Sequence, residues 1–191
     1  MGNKLKIGVM GGQGSFSEEA GNYYCHKHAI TDYEIEYSIT AEKVLSSVND
    51  GSIDLGVFPI ENSNGGIVYE AVYAMAKYNF NIENMFEIDI RHNLLVRPGT
   101  NPADITAITS HQQALKQCRM YLKRKWPEVE PQEYKDTAEA ARDLASGVLP
   151  ATTAVIANRV CAELYGLEIL EEGIQDLKFN FTTFVVASKV K

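Results

Sequence analysis

Short apolar runs alternate with amphipathic stretches along the whole chain. Leu5-Lys6-Ile7-Gly8-Val9-Met10 reads as a strand, and Gly11-Gly12-Gln13-Gly14 turns it into a helix beginning near Ser15. Glu34 to Ile39 alternates as a strand does. Ala41 to Asn49 reads as a helix stopped by Asp50-Gly51. Ile53 to Ile60 is a strand that Pro59 should end or place at an edge. A helix is expected from about Val68 to Lys77, and an extended run from Glu87 to Val96. A strand follows at Ile105 to Ile108, and then one helix from Ser110 to Lys125. Ala114, Leu115, Cys118, Tyr121 and Leu122 supply the apolar stripe of that helix. Thr137 to Ser146 and Asn158 to Tyr165 are further helices, closed by Gly147 and Gly166. Thr153 to Ala157, Leu167 to Leu170 and Phe184 to Ala187 complete the strands.

Such alternation predicts an α/β fold with a largely parallel or mixed sheet. No linker rich in Pro, Gly or Ser divides the chain. If there are two lobes, the crossings are expected near Glu87 to Arg91 and near Leu170 to Gln175. A length of 191 residues suits one large domain or two small interlocked ones.

Charge narrows the partners. The chain carries 18 basic and 25 acidic residues, a net charge of −7. An acidic chain without basic clusters is a poor binder of nucleic acid or anionic membranes. Lys123-Arg124-Lys125 suits the C-terminal end of a helix, where the dipole is negative. Cys25, Cys118 and Cys161 are isolated inside helical patterns and read as buried free thiols of a reducing compartment. Residues 1–6 lack the apolar stretch of a signal peptide, no run approaches a membrane span, and Gly2 lacks a lipidation context. A cytoplasmic protein is expected. Cys25-His26-Lys27-His28 has no partner cluster at zinc-site spacing, so no metal is expected. Tyr23, Tyr24, Tyr69 and Tyr73 read as packing residues on helices.

The candidate chemistry sits at polar turns after strands. Ser15 with Glu18, and Ser110 with Gln113, have capping-box spacing. Glu61-Asn62-Ser63-Asn64-Gly65-Gly66 offers donors, acceptors and close backbone approach. Asn180, Thr182 and Thr183 lead into the last apolar strand. Each turn alone is explicable as a cap or loop. In α/β folds, however, the carboxyl ends of strands converge at ligand sites. Hydroxyls, amides and one histidine, His111, together suit a small anionic ligand.

These segments, in this order, resemble the prephenate dehydratase catalytic domain. The resemblance rests on Gly11-Gly12-Gln13-Gly14-Ser15-Phe16-Ser17, Pro59-Ile60-Glu61-Asn62-Ser63, Ser110-His111-Gln112-Gln113-Ala114-Leu115 and Asn180-Phe181-Thr182-Thr183-Phe184. It implies two α/β subdomains with a central cleft, similar to type II periplasmic binding proteins. Subdomain 1 would be residues 1–88 plus 174–191 and subdomain 2 residues 89–173, without the family's C-terminal ACT domain. The implied substrate is prephenate, which loses carbon dioxide and water to give phenylpyruvate for phenylalanine biosynthesis. No metal or organic cofactor is implied, and a homodimer is a family-level expectation. Carried over by motif, Ser15, Asn62, Ser63, Ser110, Gln113 and Thr182 would line the site, with Thr182 at the family's catalytic threonine position. From the residues themselves, His111 is expected to aid Thr182 in catalysis and Thr183 to bind substrate.

The last motif departs from the family pattern. Thr183 stands where the family has arginine, and threonine cannot supply a fixed charge or bidentate donors to a carboxylate. That departure motivates two alternatives: a prephenate decarboxylase that leaves the ring non-aromatic, and a non-catalytic module that binds prephenate or phenylpyruvate.

Overall fold

The computed structural model describes residues 4–190. Gly2 and the other terminal residues, 1–3 and 191, lie outside the described residues. The described residues form two compact units, one of residues 4–89 with 181–190 and one of residues 90–180. The return crossing therefore falls at Asn180/Phe181, and residues 174–180, expected with the first unit, belong to the second. Backbone bonds hold them there: Ile174 donates to the His92 carbonyl at 2.9 Å and Asp176 to the Gln117 carbonyl at 2.7 Å.

In the first unit the elements run β1 (Leu5–Met10), α1 (Phe16–Lys27), β2 (Tyr33–Ser38), α2 (Ala41–Asp50) and β3 (Leu55–Asn62). The short β4 (Gly66–Ile67), α3 (Tyr69–Met75) and β5 (Phe80–Asp89) follow, and the last strand of the chain, Phe181–Lys189, completes the unit. The sheet order is β2-β1-β3, then that last strand, then β5, with β4 paired to β3. β1 is parallel to β2 and β3, whereas the last strand is antiparallel to both β3 and β5. Pro59 neither ends β3 nor makes it an edge. It borders a bulge, where the pairing steps from Thr183↔Glu61 to Phe184↔Pro59, a place that tolerates a missing N–H.

Alternation along the last strand sorts its side chains between two layers. Val185 and Ala187 pack with Val44, Leu45 and Val48 of α2 and Ala71 of α3. Phe184 stacks on Phe86 at 6.2 Å, and Phe86 lies 6.1 Å from Tyr24 of α1. Tyr24 thus packs as expected, but Tyr69 and Tyr73 are about two-thirds exposed and are not core residues.

The second unit contains β6 (Asn93–Val96), β7 (Ala107–His111), α4 (Gln112–Gln117), α5 (Arg119–Lys125) and β8 (Pro131–Tyr134). It continues with α6 (Thr137–Ser146), β9 (Thr153–Ala157), α7 (Arg159–Tyr165) and β10 (Glu168–Glu171); the last strand of the first unit is accordingly β11. The order β10-β6-β9-β7-β8 joins parallel and antiparallel pairs. β9 is buried along its whole length, with both faces covered. Ala154 and Ile156 pack toward Ala114 and Leu122 of α4 and α5, while Val155 and Ala157 meet Ala141 of α6 and Cys161 of α7. Gly166 ends α7 with φ +65°, a left-handed conformation that suits glycine. No helix among the described residues is long and apolar enough to cross a membrane.

The single helix expected over residues 110–125 is two helices, broken at Cys118. The cause is remote in sequence. The Asp176 carboxylate accepts from the backbone N–H groups of Met120 and Tyr121, both at 2.8 Å, and so caps α5 from outside. Asp176→Ala should lower the unfolding free energy by about 1–3 kcal/mol, measured as an earlier denaturation midpoint. An unchanged midpoint would mean that the break is held by other contacts.

Candidate functional site

Each unit carries a buried polar end. In the first, Ser15 follows β1 and caps α1, its Oγ accepting from the Glu18 N–H at 3.3 Å. Glu18 reaches back to the Gly14 N–H and also accepts from the Tyr37 hydroxyl at 2.6 Å. The start of α1, expected to receive a ligand carboxylate, thus already holds one from its own chain. Gly11 has φ +122°, and a Cβ there would lie 2.9 Å from the Ser15 hydroxyl, so the turn closes tightly on Ser15 only with glycine.

Asn62 ends β3 and pairs directly with Thr182 of β11. Its Nδ2 donates to Thr182 Oγ1 at 2.8 Å and to the Phe181 carbonyl at 3.2 Å. Its Oδ1 accepts from the N–H groups of Asn64 at 3.0 Å and Gly65 at 2.7 Å. Ser63 clamps the same strand: its N–H donates to the Phe181 carbonyl at 2.8 Å, and its Oγ accepts from the Phe181 N–H at 3.0 Å. Ser15, Asn62 and Thr182 therefore sit at one end of one sheet, at the carboxyl ends of β1 and β3. Thr182 shares the face of Phe184, on the α1 side, and is only 7% exposed.

Thr183 does not join them. Successive residues of a strand point to opposite faces, and Thr183 pairs with Glu61 on one side and Glu87 on the other. Its hydroxyl donates to Glu87 Oε1 at 3.4 Å. Alternation along β11 thus puts Thr183 on the face opposite Thr182, between Glu61 and Glu87.

In the second unit, Ser110 and His111 end β7. The expected Ser110 cap is not formed. Ser110 is fully buried and donates to the Ile156 carbonyl of β9 at 2.6 Å, an inter-strand clamp. His111 caps α4 instead, its Nδ1 accepting from the Gln113 N–H at 3.2 Å. That bond places the proton of the neutral ring on Nε2, which is left as a donor. The Gln113 side chain makes no hydrogen bond among the described residues and is available to a ligand.

At the same end His92 and Gln117, which the sequence reading does not assign to the site, form a network with Asn180. Gln117 Oε1 accepts from His92 Nε2 at 2.7 Å and from Asn180 Nδ2 at 2.9 Å. Asn180 also donates to the Ile90 carbonyl at 3.2 Å, while the Ile90 N–H donates to the Asn180 carbonyl at 2.6 Å. Asn93 Oδ1 receives the Gly173 N–H. Asn158, after β9, caps α7 through the Cys161 N–H at 3.0 Å. Asn180, expected at an open strand mouth, is fully buried. The one signal in the sequence is the polar pair His92-Asn93, set between apolar runs.

Burial holds the His92 imidazole below the ordinary histidine range, partly offset by its bond to Gln117. Among the described residues, no three His, Cys, Asp or Glu side chains are gathered to hold a metal.

A family model described as prephenate dehydratase matches residues 7–191. An arogenate dehydratase/prephenate dehydratase of Arabidopsis thaliana is 34% identical over 98% of this chain, which spans only 44% of that protein. The solved structure of a prephenate dehydratase from Arthrobacter aurescens in complex with L-Phe superposes with a TM-score of 0.88 at 28% identity, covering 98% of this chain and 61% of that one. A protein described as a novel type of quorum quenching acylase superposes with a TM-score of 0.81 at 27% identity, covering 97% and 64%.

Two outcomes are expected from this geometry. The folded pKa of His92 lies below its unfolded value of about 6.5. The unfolded chain therefore binds the extra proton first, and stability, full above about pH 6.5, falls as pH drops below it. Denaturation curves between pH 7.5 and 5.5 should show the loss, and His92→Gln should flatten it. Thr183→Arg should pair with Glu61 and Glu87 and add up to about 1 kcal/mol of stability. A lower melting temperature would contradict the assigned face.

Proposed function

Because the chain belongs to the prephenate dehydratase family, we propose that it converts prephenate to phenylpyruvate with loss of carbon dioxide and water. The observation that carries this reading is the Thr182 hydroxyl. It is buried at the polar end of the first sheet, and its oxygen accepts from Asn62, which leaves its proton to donate. In the proposed reaction the bond from the ring to its carboxylate breaks, and that electron pair enters the ring. The bond to the ring hydroxyl breaks at the opposite carbon, and the oxygen leaves as water with a proton from Thr182, which solvent restores. Aromatisation drives the step, so the protein needs to orient the substrate and supply a donor rather than a strong base.

Arogenate is a second candidate substrate, supported by the double name of the plant relative. The non-aromatising decarboxylase and the non-catalytic module draw their support from Thr183 at the substrate. Its pairing beside Glu87, on the face of β11 opposite Thr182, favours the dehydratase over both.

Incubation with prephenate and with arogenate, followed by ultraviolet spectra and product mass, is expected to give phenylpyruvate or phenylalanine respectively from whichever is accepted. Thr182→Val should lower kcat about a hundredfold or more with little change in KM. Carbon dioxide release without an aromatic product, or full activity in Thr182→Val, would overturn the reading.

A further inference from the structure

The hydrogen bonds around Asn62 give it a role other than substrate contact. Its Oδ1 accepts from two backbone donors, Asn64 N–H and Gly65 N–H, neither of which can act as an acceptor. The amide therefore has one orientation. Its Nδ2 must face Phe181 and Thr182, and the Phe181 carbonyl, which can only accept, agrees with that assignment. Thr182 Oγ1 is in consequence an acceptor, at 2.8 Å. The single hydroxyl proton has to point elsewhere, and no acceptor for it is found among the described residues, although Thr182 is only 7% exposed.

We propose that Asn62 is the positioning residue that makes Thr182 a directed proton donor. Holding Oγ1 from the strand side fixes the hydroxyl rotor with its proton turned away from the sheet. A hydroxyl that accepts a hydrogen bond is also polarised into a stronger donor. The register supports this division of labour, because Asn62 and Thr182 are direct cross-strand partners. The side chain of Asn62 already uses both lone pairs and both N–H groups for the turn and the strand. The inference rests on the lyase reading above and deepens it.

Asn62→Asp isolates the effect because it preserves shape. The carboxylate keeps its acceptor bonds to Asn64 and Gly65 but has no proton to give. It would take the Thr182 proton itself and turn the donor inward. With prephenate as probe, kcat should fall about a hundredfold, with KM within about threefold and the melting temperature only modestly lowered by the lost bond to the Phe181 carbonyl. The ratio of variant to wild-type kcat should rise as pH falls and the new carboxyl protonates, since that carboxylic acid donates to Oγ1 and frees the threonine proton again. In a Thr182→Val background, Asn62→Asp should cost little more, because both changes remove the same donor. A wild-type chain without turnover of prephenate or arogenate would overturn the lyase reading and this inference with it. An active wild type would overturn only the inference if N62D kept its kcat, raised KM alone, or lost activity with no pH recovery and additively with T182V.

Discussion

The pairing of β11 between β3 and β5 is the constraint on which the first unit depends. Without it β5 has no partner in the sheet, and the order from β2 to β5 is interrupted at β3. A strand returning from the far end of the chain is costly to place, because a long loop must close before its contacts form. Its central segment meets that cost with buried apolar side chains on both faces, Phe184 and Val186 on one, Val185 and Ala187 on the other. The same register sets the chemistry. It puts Thr182 opposite Asn62 on the α1 side and Thr183 between Glu61 and Glu87 on the other. A slip of one residue would exchange the two threonines between faces.

The second unit shows the same division between an apolar middle and a polar end. Leu94, Leu95, Ile108, Val155 and Ile156 fill its centre, while His92, Asn93, Ser110, Asn158 and Asn180 are buried at one end. Buried polar groups are tolerated where they are hydrogen-bonded: here Ser110 donates to the Ile156 carbonyl, Asn180 to the Ile90 carbonyl, and Asn158 accepts from the Cys161 N–H. Gln117 joins His92 and Asn180 through one oxygen, and Asp176 caps α5 just beyond it. These contacts fix residues 174–180 onto the second unit before the chain enters β11. Structural and chemical roles are thereby separated. Ser110 clamps two strands, Asn180 ties the two crossing segments, and His111 caps α4.

Much of this is legible in the sequence. Period-two alternation marks β2, and the Ser15 cap and the Gly166 stop bound their helices, because those signals are local. What escapes depends on distant partners. The stripe from Ala114 to Leu122 reads as one helix because nothing near Cys118 announces the carboxylate of Asp176. Pro59 reads as the end or edge of a strand because the bulge beside it belongs to the pairing with β11. Motif spacing places Thr183 with Thr182 because it takes neighbours in order, whereas a strand sends them to opposite faces. Gln117 stands in the sequence only as a residue after a motif; its place in a buried network appears once His92 and Asn180 are beside it.

The family membership and the geometry of the first sheet converge on one proposed step: a threonine hydroxyl, oriented by an asparagine across the strand, donates its proton as the substrate's hydroxyl departs. The decisive measurement is the rate of a single turnover of prephenate in H2O and in D2O, with protein in excess so that product release does not intervene. Slower turnover is expected in D2O, because the transferred proton is exchangeable and moves as the C–O bond breaks. Identical rates in the two solvents would contradict that step.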